Sequence, residues 1–100
     1  MARETRDAPE ALLAHLTGFI VSRRGVEAWV EQPNSFNKPS ILLVAADGES
    51  TRRVIPSVAF GYGFAADHDI PAYDAGVVPY PRRMREYEAS RRRASRPITY

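Results

Sequence analysis

Three stretches of this chain hold residue types that could do chemistry. In "ADHDIPAYD", the residues Asp67, His68, Asp69 and Asp74 gather carboxylates beside an imidazole, a set able to bind a metal or move a proton. Adjacent positions at a helix end diverge by about 100°, so Asp67, His68 and Asp69 cannot face one ion without an unusual turn, and a polar helix terminus is the plainer reading. No metal site is expected. Asp74 follows a short strand, where ligand groups often sit. Together with His68 and Tyr73 it defines a candidate pocket for a small-molecule enzyme or ligand binder.

In "FGYGFAAD", Gly61-x-Gly63-x-x-Ala66 has the outline of a dinucleotide fingerprint. That motif must form the tight turn from a strand into a helix, so that backbone amides meet a pyrophosphate. Here Pro56-Ser57 already marks the turn before Gly61, and no acidic residue lies about twenty positions on. No cofactor is expected, and close packing of a helix on a sheet accounts better for the glycines. Asp47 and Glu49 flank a hairpin glycine and serve the turn. His15 reads as a surface or helix-packing residue. Without cysteine there is no thiolate ligand, thiol nucleophile or disulfide.

The third stretch, "PYPRRMREYEASRRRASRP", holds half of the chain's fourteen basic side chains. From residue 79 onward seven Arg face two Glu, a net +5 within a whole-chain +2, which leaves residues 1 to 78 at −3. Lys38 is the sole lysine, and Arg is the residue suited to planar, bidentate contact with phosphate or carboxylate. On a helical wheel Tyr80, Met84 and Tyr87 fall within about 60° of one another, an apolar stripe able to dock the first turns. Arg82, Arg85, Arg92, Arg93 and Arg96 share a sector of about 100° on the opposite side, a basic face suited to RNA, DNA or an acidic protein. The competing reading is a solvated end whose charges pair locally, Glu88 with Arg92 and Glu86 with Arg83 or Arg82.

These groups need elements to hold them. "RDAPEALLAHLTG" reads as a helix capped at Asp7, with Leu12, Leu13 and Leu16 on one face and Gly18 as its stop. "GVEAWVEQP" alternates with period two, placing Val26, Ala28 and Val30 on one face and Glu27, Trp29 and Glu31 on the other. Trp29 is read as core or half-core. "NSFNKPS" is a loop. "ILLVAA" suits a central strand covered on both faces. Asp47-Gly48 is a hairpin turn leading into "ESTRRVI". Ser57 can cap a helix to about His68 that offers Val58, Phe60 and Phe64 to the sheet, and "DIPAYDAGVV" holds a short strand.

The sum is a single α+β (or small α/β) domain: a mixed sheet of about four strands with two or three helices. It is expected to span residues 8 to 90, between a flexible N-terminus (1–7) and a flexible basic tail (91–100). The strand at 50 to 55, its helix and the strand at 70 to 73 can form a right-handed crossover. The element order resembles that of restriction-endonuclease-like nucleases, but these need a Glu-x-Lys on the central hairpin, and Glu49 is followed by Ser50 and Thr51. That enzyme class is set aside.

"EAWVEQP", "LLVAADGESTRR", "IPAYDAG" and "YPRRMREY" together resemble a family of small actinobacterial proteins of about a hundred residues, some labelled oxidoreductases. The resemblance covers residues 26 to 88 and implies a compact fold. The two glycines between Phe60 and Ala66 depart from the more ordinary helix of that family, and no redox cysteine or nucleotide loop matches the label. No apolar run has signal-peptide or membrane-span length. The expectation is a cytoplasmic, non-enzymatic binding protein contacting nucleic acid or an acidic protein, without membrane association, and able to form a homodimer.

Overall fold

The computed structural model describes residues 10 to 95. Among these, α1 (Glu10–Ser22), β1 (Glu27–Glu31), β2 (Ser40–Val44), β3 (Ser50–Val54), α2 (Val58–Asp67), β4 (Ala72–Asp74) and α3 (Arg82–Ser95) follow in order. The sheet order is β3-β2-β1-β4. β1 and β2 pair antiparallel, as do β2 and β3, while β4 lies parallel to β1. This is the α+β architecture with a mixed four-stranded sheet that the sequence predicts. The β3-α2-β4 crossover spans the sheet, for β4 lands beside β1 with two strands between it and β3. Asp7 lies outside the described residues.

Strand alternation sorts the side chains into two layers. Ala28, Val30, Ile41 and Leu43 point to the first face, where they meet Leu16 and Phe19 of α1 and Phe60, Phe64 and Ala65 of α2. α1 runs through Gly18, which the sequence marks as its stop, because Phe19 and Ile20 continue the apolar face onto the core. Nothing sits within 4 Å of where a Gly18 side chain would begin, so this glycine is accommodated on the helix's exposed side. α2 starts where expected: the Ser57 hydroxyl accepts from the Phe60 N–H at 3.0 Å.

On the second face Trp29, Leu42 and Val44 form a smaller apolar patch, covered by Tyr73, Ala75, Val78, Tyr80 and Met84. Trp29 is only 3% exposed, its indole N–H donates to the Val78 carbonyl at 3.2 Å, and its ring lies 4.9 Å from that of Tyr73. It is therefore a core residue with its polar tip satisfied. β2, buried at all five positions, is the central strand covered on both faces.

Candidate functional site

Helix α3 crosses the second face, and the sequence stripe explains its attachment only in part. Met84 and Tyr80 pack on the Trp29 patch, and Tyr87 lies against Gly48. The rest of the attachment is ionic. Arg83 Nη2 meets Glu27 Oε1 at 2.7 Å, and its Nε donates to the Ala45 carbonyl at 3.0 Å. The Glu86 pairing with Arg82 or Arg83 expected from the sequence does not form, because Glu27 offers Arg83 a half-buried carboxylate that also accepts from the Tyr73 hydroxyl at 2.8 Å. A single turn of helix cannot match that pairing.

Gly48 explains how close the helix comes. Its φ of 97° is left-handed, the conformation glycine adopts at least cost. A β-carbon there would stand 2.0 Å from the Arg83 carbonyl oxygen. The hairpin tip is thus set directly against the α3 backbone. Asp47 fixes the turn by accepting from the Glu49 N–H at 2.9 Å.

A second carboxylate anchors the loop entering α3. Glu31 accepts from Arg52 Nε and Nη2 at 2.9 to 3.1 Å, and also from the Ser40 and Tyr80 hydroxyls. Burial pushes both Glu27 and Glu31 up. Hydrogen bonds from Arg83 and Tyr73 to the first, and from Arg52, Ser40 and Tyr80 to the second, outweigh it and hold both below the ordinary carboxylate range. The Tyr80 phenol is raised, first by burial and then by its bond to Glu31.

Beyond these anchors the basic face points outward. Arg82, Arg85, Arg92 and Arg93 are exposed. No carboxylate among the described residues pairs with Arg82, Arg85 or Arg93. Residues 90 to 94 are exposed at every position, more than one full turn of helix, while Arg91 and Arg92 line a groove with Glu49 and Ser50 and Arg91 helps hold the Glu49 carboxyl below its ordinary range. α3 continues as helix past residue 90 to Ser95. Arg96 lies outside the described residues.

The pocket expected at His68, Tyr73 and Asp74 is not assembled. His68 ends α2, where its Nδ1 donates to the Phe64 carbonyl at 3.0 Å and its ring lies 4.2 Å from that of Phe64 at a tilt of 33°. Tyr73 turns to the opposite face of the sheet, toward Glu27. Asp74 accepts from the Gly76 N–H at 2.8 Å and weakly from Gln32 at 3.5 Å, so it shapes the turn after β4. Strand alternation separates Tyr73 from Asp74, and His68 is committed to the Phe64 carbonyl of its own helix and, through Nε2, to the Thr17 hydroxyl of α1 at 3.4 Å. No cluster of three metal-ligating side chains occurs among the described residues.

Both glycines of the apparent fingerprint lie inside α2 rather than in the turn before it. Close packing accounts for Gly61, where a β-carbon would stand 2.9 Å from Ile55 Cδ1 and 3.1 Å from Val30 Cγ2. It does not account for Gly63, which has nothing within 4 Å. His15 bonds the Thr51 hydroxyl at 2.7 Å across the α1–β3 seam; burial, then Arg53 and Arg23, lower its pKa.

Sequence reasoning missed Glu27, Glu31, Arg52 and Arg83 as the groups that set the basic helix in place. The signal lay in the alternation that puts both glutamates beside Trp29, and in Arg83 falling off the common arginine sector. Among the described residues no helix is long and apolar enough to cross a membrane. No family model, curated protein or solved structure matches this chain.

Proposed function

We propose that this protein is a non-enzymatic nucleic-acid-binding module, cytoplasmic in location, whose α3 tracks phosphates with its arginine face. One observation carries the reading: Arg82, Arg85 and Arg93 are exposed and have no carboxylate partner among the described residues. The expected local pairing of Glu86 with Arg82 or Arg83 is absent, and Arg83 turns instead to Glu27. Guanidinium groups held on a fixed helix match phosphate oxygens in bidentate geometry. The glutamates beneath fix the orientation of that helix.

Phosphate contacts release counterions, so affinity should fall steeply with salt, by about 0.9 log unit per tenfold salt for each duplex phosphate neutralised. Fluorescence anisotropy with labelled single-stranded RNA and duplex DNA, titrated across salt, measures this directly. Replacing Arg85, Arg92 and Arg93 together with Gln should weaken binding and flatten the slope. Absence of binding at low salt, an unchanged affinity in the triple variant, or equal binding to polyglutamate would each sink the reading.

A further inference from the structure

The sheet ends at β3, and β2 occupies only one of its two sides. The Ala45 N–H donates to the Glu49 carbonyl at 2.8 Å and the Ile55 N–H to the Pro39 carbonyl at 3.0 Å, so the odd positions from 49 to 55 bond to β2. By alternation the N–H and C=O groups of Ser50, Arg52 and Val54 face outward. Among the described residues no other strand meets them, and only the Arg52 carbonyl has a partner, the Arg53 side chain at 2.7 Å. We propose that this edge binds a short acidic peptide segment as an added antiparallel strand.

Charge selects the occupant. Along this edge Glu49 is paired with Arg23 and Arg52 with Glu31, which leaves Arg53 without a carboxylate partner among the described residues. Arg53 lies with Thr51 on the α1 side of the sheet, where its charge and that of Arg23 add to burial in lowering the His15 pKa. A guest carboxylate opposite Arg53 meets that positive field. At the end of the strand Leu12, Lys38, Pro39, Val54, Ile55 and Pro56 surround a recess of about 430 Å³, which seats an apolar guest side chain opposite Ile55. Added strands are recognised in this way, by main-chain bonds for affinity and by seats for alternate side chains for specificity.

Charged residues guard sheet edges against indiscriminate pairing, and a cation without a partner repels basic strands while admitting an acidic one. A second copy of the chain is the poorer occupant. Pairing β3 with itself about Arg52 sets that guanidinium against its own copy, and a shift to Thr51 brings it to Ser50, where Arg91 and Arg92 line the groove. Like charges placed directly opposite destabilise a sheet.

The test is an NMR titration of the full chain with the capped peptide Asp-Ile-Val-Glu-Thr-Thr, which sets Ile opposite Ile55 and Glu opposite Arg53. The outward amides of Ser50, Arg52 and Val54 should shift saturably and exchange more slowly with solvent. N-methylation at Val and the first Thr, whose N–H groups would meet β3, should weaken binding by at least about tenfold, and N-methylation at Ile and Glu should leave it unchanged. Arg53→Glu, at an exposed position, should weaken the peptide by at least about tenfold and favour its Lys-for-Glu version instead. No change at those three amides, equal affinity of the two methylated peptides, or an unchanged affinity in the Arg53 variant would overturn the proposal. So would a chain that is dimeric by light scattering with those amides protected before peptide is added, which gives the edge to a second copy.

Discussion

The two faces of the sheet are covered by different physics. On the first, α1 and α2 bury phenylalanine and aliphatic side chains against Ala28, Val30, Ile41 and Leu43, and that layer is almost wholly apolar. On the second, α3 rests on three buried residues and is fixed at Glu27 and Glu31 by guanidinium and phenol groups. Apolar burial scales with area and is indifferent to pH and salt over ordinary ranges, whereas partly exposed ion pairs respond to both. The first face therefore carries the fold. The second presents a helix that can be tuned without unfolding what lies beneath it.

The largest effect should come from cutting the first face. Phe64→Ala removes a ring that is 1% exposed and should cost about 3–5 kcal/mol, lowering the denaturant midpoint of helix content and of Trp29 fluorescence together. If the two probes separate in this variant, the faces do not share one cooperative unit. Gly48→Ala is next. A residue with a β-carbon at φ 97° is strained by about 1–2 kcal/mol, and this β-carbon also meets the α3 backbone. Trp29 emission should change as the helix lifts off, while the first-face core keeps its native methyl NMR shifts. A Gly48→Ala protein with native Trp29 emission would show that α3 is not seated against the hairpin.

Breaking the ionic anchor should do less. Arg83→Ala leaves Glu27 with the Tyr73 hydroxyl alone and should cost about 1–2 kcal/mol, read by the same Trp29 signal. Acid reaches the same anchors by protonation. Glu27 and Glu31 sit below the ordinary carboxylate range in the folded protein, so the unfolded chain binds more protons there. The stability they contribute is complete above about pH 5 and fades as pH falls through the ordinary carboxylate value toward their lower folded ones. His15, lowered as well, adds a loss in the same direction below its ordinary value. Urea midpoints of the wild type and of a Glu27→Gln, Glu31→Gln variant, compared from pH 7 to 3, should converge on acidification. Parallel curves would exclude the two glutamates as the acid-sensitive groups.

The elements were legible because their signals are local. Alternation in β1, the continuous apolar run of β2, the Asp47-Gly48 turn and the Ser57 cap each act within a few residues, and each appears in the structure where the sequence puts it. The site was less legible because it is made by distant pairs. Glu27 and Arg83 are 56 positions apart, Glu31 and Tyr80 are 49 apart, and no periodicity links them. The His68, Tyr73 and Asp74 grouping failed for the complementary reason: closeness along the chain does not bring side chains to one face when a helix end, a loop and a strand intervene. The end of α1 was missed because glycine is a weak stop where apolar contacts continue beyond it, as they do at Phe19 and Ile20.

The smallest effect separates two glycines that the sequence presents as a pair. Both are in the interior of α2, where glycine costs roughly 1 kcal/mol relative to alanine. At Gly63 the new methyl group would meet nothing within 4 Å, so Gly63→Ala should stabilise the fold by about 0.5–1 kcal/mol through helix propensity and a less flexible unfolded chain. At Gly61 the methyl would press on Ile55 Cδ1, which can turn aside, and on both Val30 methyls, which a β-branched side chain in a buried strand cannot move freely. Gly61→Ala should therefore lose that gain and fall below wild type, as overpacking does. Opposite signs in the two urea midpoints would place α2 directly on β1 at Gly61, while stabilisation by both substitutions would mean the first face is packed more loosely than the second.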